Sequence, residues 1–220
     1  MKKSTPVQFV IRILVYCLAL LLMAFGVALS VNSNLGVSPV NSLPYVVSRI
    51  LNVKMGTCVT VIFCFYILLQ AVVLGRDFPL FNLLQIAVST IFGYFVNFAK
   101  ATIGGFVLPT YFGKLVMLAA SIVLIALGMT LYMETHISSM PMEGLSSALA
   151  KRFGKPFPFM KTLTDCVTVG LVILLSFVFL GTLDGIREGT VITAMVVGKM
   201  IALFRKPLSP VLRRLCFGEA

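Results

Sequence analysis

Tryptophan is absent from this chain, histidine occurs once, and 7 acidic residues face 18 basic ones in a length of 220. The lone His136 has no partners at ligand spacing, so no metal site is expected. There is no Ser-His-Asp or Cys-His set, no HExxH and no phosphate-binding glycine loop, so the chain reads as no enzyme and as carrying no cofactor. The five cysteines (Cys17, Cys58, Cys64, Cys166 and Cys216) are scattered without a CxxC. That excludes a disulfide framework by spacing and marks them as packing residues. Charge is scarce as well, at 11% of residues, too little to cover a soluble core made from this sequence.

What is present is apolar sequence: 59% hydrophobic residues and a mean hydropathy of +1.05, in blocks long enough to cross hydrocarbon. These features predict an all-α, polytopic transmembrane helical bundle. The net charge of +11 is carried at the ends of the apolar blocks. Such placement points to the lipid bilayer as partner and to no nucleic acid. Met1-Lys2-Lys3 and the following apolar run resemble a signal peptide, but Ile13 to Val31 is too long for one and reads as a retained first helix.

One segment occurs twice. Gly36-Val37-Ser38-Pro39-Val40-Asn41-Ser42-Leu43 is echoed by Ser138-Ser139-Met140-Pro141-Met142-Glu143-Gly144-Leu145 at a constant offset of 102 positions. The same offset pairs Arg12 with Lys114, Gly26 with Gly128 and Arg49 with Lys151. The chain therefore divides into a first repeat (1–104), a second repeat (105–206) and a basic tail (207–220). Each repeat has four helices, the second short and proline-broken. The last helix is expected to end at Arg205-Lys206-Pro207.

Segments 39–53 and 141–153 decide the topology. If they cross, there are eight spans in two like-oriented units; if they re-enter, there are six spans in two inverted units. Equivalent loops carry basic residues of the same sign, which favours eight crossings, with the connector near Lys114 and the joint near Lys155 on one side. Both arrangements put the N- and C-termini in the cytoplasm.

Ionisable groups inside apolar sequence need a reason, since each costs at least about 2.5–3.5 kcal/mol at a helix centre. Glu143 stands where the first copy has Asn41. It is either a ligand- or proton-binding carboxylate or an acid complementing the helix dipole after an N1 proline. Lys161 and Asp165 form an i, i+4 pair, either structural or a charged wall facing Glu143. His136 is a loop residue or a pH-sensitive gate. Ser38 joins Asn41 as a candidate in the first copy. Gly93 and Gly198 are expected to allow close helix approach.

In these segments the chain resembles the YczE/YitT-type family of uncharacterised bacterial integral membrane proteins. The resemblance rests on Leu35-Gly36-Val37-Ser38-Pro39-Val40-Asn41, on Pro141-Met142-Glu143-Gly144-Leu145, on Lys161 with Asp165, and on Gly189-Thr190 through Gly198-Lys199. Gly36, Pro39, Pro141, Gly144, Gly189 and Thr190 are its structural motif. The chain departs from the pattern at Asn41, where an acid is usual, at Ser138, at Lys161 and Asp165, and at Lys199, where a proline is usual. The resemblance implies a multi-pass protein of the bacterial cytoplasmic membrane, without a settled activity. The expected function is a small-solute transporter or permease with its site between the repeats at the broken segments. The alternative is a non-transporting membrane sensor, regulatory or accessory subunit. Homo-oligomerisation is left open.

Overall fold

A computed structural model describes residues 6–217; Met1–Lys3 lie outside the described residues. Among these the chain is helical, with no strand: α1 (Pro6–Ser33), α2 (Pro39–Leu51), α3 (Met55–Leu74), α4 (Leu84–Ile103), α5 (Tyr111–Thr135), α6 (Pro141–Phe153), α7 (Phe157–Leu175) and α8 (Glu188–Phe217). Short 3-10 turns precede α4, and a π turn, Ser176–Leu180, extends α7. The stretches Pro6–Ser33, Met55–Asp77, Leu80–Ile103, Tyr111–Thr135 and Phe157–Leu180 are long and apolar enough to cross a membrane. Their outer faces stay apolar where they meet no other helix, as at Phe81, Tyr94, Phe112 and Val167.

The local signals that shape these elements recur at the offset seen in the sequence. Ser33 and Thr135 end α1 and α5, Pro39 and Pro141 open α2 and α6, and Met55 and Phe157 open α3 and α7. Asn34 (φ 58°) and His136 (φ 50°) both take the left-handed conformation that stops a helix. Asn52 (φ 53°) and Gly154 (φ 62°) do the same after α2 and α6. Each proline sits in a first helical turn, where its missing N–H costs nothing.

Helix α1 packs along α5, and the two run antiparallel. Near the start of α1, Arg12 Nη2 donates to Thr135 O at the end of α5 (2.7 Å). Near the end of α1, Asn32 Nδ2 donates to Gly104 O just before α5 (2.9 Å). Midway, Gly26 lies against Ser121 and Ile125, and Gly128 lies against Ala19 and Met23, so the contact is reciprocal. The core follows this pair: Ala19, Leu20, Ala24, Val27 and Ala28 of α1 pack with Phe63, Phe92 and Val96.

This geometry sets the two halves in opposite senses. The loop entering α2 and the last turns of α2 pack toward the end of the bundle where α4 finishes and α8 begins: Val37 N bonds Gly185 O (2.9 Å) and Arg49 bonds Asp184 (3.1 Å). Helix α6 lies at the opposite end, its Pro141 O accepting from Gln70 Nε2 near the end of α3 (2.9 Å). The expected like orientation of the two units is therefore corrected, because equivalent helices α1 and α5 run antiparallel. The 13-residue helices α2 and α6 reach only about 20 Å, short of a hydrocarbon core of about 30 Å. Charge misled because basic flanks stand at both ends of the bundle. Lys54, Lys100, Lys114 and the ion-paired Arg49 and Arg187 lie at one end. Arg12, Arg76, the Lys151–Lys155 joint and the Arg205–Arg214 stretch lie at the other, called the basic end below. The connector near Lys114 and the joint near Lys155 thus fall at opposite ends.

The last helix is also longer than expected, passing through Pro207 and Pro210 to Phe217. Glu134, 2% exposed, anchors this extension by accepting from Arg205 Nε (2.7 Å) and Ser209 Oγ (3.0 Å). Leu212 and Cys216 are buried, and the Arg12 guanidinium lies 4.7 Å from the Phe217 ring centroid. These tertiary anchors outweigh the backbone hydrogen bonds that two prolines remove.

Candidate functional site

Because loops 34–38 and 136–140 turn back into the bundle, the first turns of α2 and α6 meet inside it. They border a cavity of about 440 Å³, within the range that small-molecule sites occupy. Ser38, Pro39 and Asn41 line it from one segment, and Met140, Met142 and Glu143 from the other. Lys161, Thr162 and Asp165 come from α7, and Thr193, Val197 and Gly198 from α8. Met23, Phe63, Phe92, Ile125 and Met129 supply an apolar wall, with the rings of Phe63 and Phe92 stacked at 6.1 Å.

Five of the six binding candidates come together here: Ser38, Asn41, Glu143, Lys161 and Asp165. His136 does not. It caps α5, and its ring lies 5.9 Å from that of Phe217.

Glu143 occupies the first turn of α6 and accepts a hydrogen bond from the Tyr132 hydroxyl. Tyr132 packs edge-on against Tyr16, whose hydroxyl donates to Ser138 O (3.3 Å). Lys161 is ion-paired with Asp165 one helical turn on, and its charge also acts on Glu143. Asn41 Nδ2 donates to Ser38 Oγ (3.1 Å), which leaves Oδ1 without a partner although Asn41 is only 5% exposed. Thr193 Oγ1 is likewise buried and unpartnered. Buried polar atoms of this kind are uncommon and call for an explanation.

The motif residues build the frame. Gly36, at φ +106°, has a conformation that L side chains rarely adopt, and it lies against Thr190. Gly189 N donates to Leu35 O (2.8 Å), joining the first broken segment to the start of α8. Gly144 packs on the Gln70 amide, which also bonds Gln85 (3.0 Å).

The cavity has one closed flank and one open flank. Helices α3 and α4 are clasped backbone to backbone at Gly56 and Gly93, with Gly56 N donating to Asn97 Oδ1 (2.9 Å). The corresponding pair, α7 and α8, scarcely touch. Pro158 stands 102 positions after Gly56, and Gly198 faces open space rather than allowing the close approach expected of it. The rim there, at Phe157, Pro158, Thr162, Ala194 and Gly198, is exposed. It leads toward the basic end.

Sequence reasoning missed Tyr132, Tyr16 and Thr193. They sit within apolar stretches of α1, α5 and α8 with no proline or charge immediately beside them, and nothing in the repeat marks them. Among the described residues no group of three His, Cys, Asp or Glu could hold a metal ion.

Comparison with known proteins yields relatives without an assigned activity. The family of unknown function DUF6198 matches residues 10–206. The uncharacterized protein YyaS of Bacillus subtilis (strain 168) is 24% identical over 190 residues, which cover 86% of this chain and 90% of that protein. The uncharacterized membrane protein YczE of the same organism is 24% identical over 212 residues, covering 92% of this chain and 88% of that protein. No solved structure matches.

Proposed function

This chain belongs to the DUF6198 family of unknown function, and on that footing we propose that it is a membrane transporter or permease for a small solute, built from two inverted repeats. The observation that carries this reading is the cavity between two proline-broken segments, one of which presents Glu143. Discontinuous helices paired inside the bilayer are where secondary transporters hold their substrates, because broken backbone is tolerated there only when it lines a cavity. The shared helix boundaries, the matched left-handed caps and the reciprocal Gly26 and Gly128 contacts support the repeat.

Alternating access needs a barrier on one side of the site and a path on the other. The α3–α4 clasp and the α7–α8 gap supply these, and exchanging them between the repeats would expose the cavity to the opposite end. The excess of Lys and Arg at the basic end supports a cytoplasmic location for that end and for both termini, in a bacterial cytoplasmic membrane. The cavity then faces the cytoplasm in this conformation. No catalytic step is proposed.

The rival reading, a membrane sensor or accessory subunit, is favoured by the Phe and Met share of the cavity wall. Reconstitution into proteoliposomes separates the two. Transport predicts flux or counterflow of at least one solute that thermally stabilises the purified protein, and loss of that flux in Glu143→Gln. Ligands that stabilise without any flux would establish the sensor instead.

A further inference from the structure

The cavity's polar atoms specify a ligand class. We propose that it binds a protonated organic amine with an apolar body, an inference resting on the transport reading only in taking this cavity as the binding site.

Three observations converge. First, the charged groups lining the cavity are Glu143, Lys161 and Asp165, and Lys161 is already paired with Asp165. Glu143, when ionised, then leaves one negative charge in the cavity, which a monovalent cation balances and an anion opposes. Second, Asn41 Oδ1 is an acceptor only, and it is buried and unpartnered at the cavity wall. Thr193 Oγ1, also buried and unpartnered, can accept as well. An ammonium group carries N–H donors for both, whereas a carboxylate or a quaternary nitrogen carries none. Third, the remaining wall is largely apolar, with four methionines and three phenylalanines beside aliphatic residues such as Val40, Ile125 and Val197. Thioethers adapt to varied apolar shapes, and aromatic faces attract cations. The route in is consistent with an amphipathic solute, because exposed Leu163, Val167 and Met195 on α7 and α8 make the flanks of the gap apolar.

The test is binding to the purified full-length protein in mild detergent. The probes are phenethylammonium and phenylbutylammonium, with the alcohol, the carboxylate, the amino-acid zwitterion and the trimethylated ammonium of matching skeleton. The ammonium ions are expected to bind at least about tenfold more tightly than the other four forms, the worth of one charged hydrogen bond. Thr193→Val and Asn41→Ala should each weaken ammonium binding about tenfold, and Glu143→Gln by more. If Glu143→Gln does not fold to a monodisperse species, Thr193→Val and Asn41→Ala carry the comparison. The proposal is overturned if neither ammonium binds, if the carboxylate or zwitterion binds as tightly, or if the folded variants keep full affinity. Proteoliposome flux keeps the two readings apart. An ammonium that binds but is never carried overturns transport and leaves the ligand class standing. A carried carboxylate that competes for the cavity overturns the ligand class and leaves transport standing.

Discussion

The Tyr132 hydroxyl and the Glu143 carboxylate, on consecutive helices, are hydrogen-bonded to each other at the edge of the cavity. This bond ties the first turn of α6, which the repeat places opposite α2, to the long antiparallel α1–α5 pair. Tyr132 is 2% exposed and has Tyr16 on its other side, so little else can take the place of its hydroxyl. Tyr132→Phe should therefore lower stability by about 1–3 kcal/mol, the cost of depriving a half-buried carboxylate of a donor. In a double-mutant cycle with Glu143→Gln, the two changes should couple by about 0.5–3 kcal/mol. Additive effects in thermal unfolding would mean that the bond is incidental.

The two flanks of the cavity should respond in opposite ways to the same substitution. A methyl group at Gly93 runs into the Thr60 hydroxyl and the Gly56 carbonyl, and the backbone there cannot yield. Gly93→Ala should cost about 1–3 kcal/mol as overpacking. Gly198 meets nothing within 4 Å, so Gly198→Ala should gain up to about 1 kcal/mol from helix propensity alone. Melting temperatures of the two variants in one detergent make the comparison. Equal shifts would contradict a clasp on one flank and a gap on the other.

Much of this was legible in the sequence where the determinants are local. Pro39 and Pro141 open helices, and Asn34 and His136 close them, because each residue's own backbone preference decides. Asn41 and Glu143 were legible as cavity-lining candidates for the same reason, since they stand beside broken backbone. The determinants that failed to show are tertiary. Thr193 reads as one more hydroxyl on an apolar helix until α7 and α8 are seen to part. Pro207 and Pro210 read as a stop, because nothing nearby in sequence reveals that Glu134 holds the turns around them. The orientation of the second half was hidden because basic flanks stand at both ends of the bundle, so sign alone carried no direction.

Topology gives a sharp check. Thr102, in the last turn of α4, and Lys155, in the α6–α7 joint, fall at opposite ends of the bundle. In a background lacking the five native cysteines, Thr102→Cys should react with an impermeant maleimide added to intact cells. Lys155→Cys should react only after the membrane is opened. Labelling of both from the same side would restore the like-oriented arrangement and remove the inverted repeat on which alternating access depends.

The clamp on the C-terminal turns yields the last prediction. Glu134 is almost wholly buried, yet its three partners, Arg205, Ser209 and Arg213, all come from the part of α8 beyond its apolar stretch. Removing the acid strands no buried charge, because the arginines are half exposed and can turn to water. Removing Arg205 instead leaves a buried carboxylate with weaker partners, the more costly error. Arg205→Ala should therefore destabilise the protein more than Glu134→Gln does, with the Glu134→Gln cost near about 1–2 kcal/mol. Both variants should loosen α8 past Pro207, where two absent N–H groups leave the helix dependent on its anchors. Hydrogen exchange is the discriminating measurement. Protection should fall across residues 205–217 in both variants while α1 and α5 keep theirs. Unchanged protection in Glu134→Gln would show that Leu212, Cys216 and the Arg12–Phe217 contact hold these turns unaided.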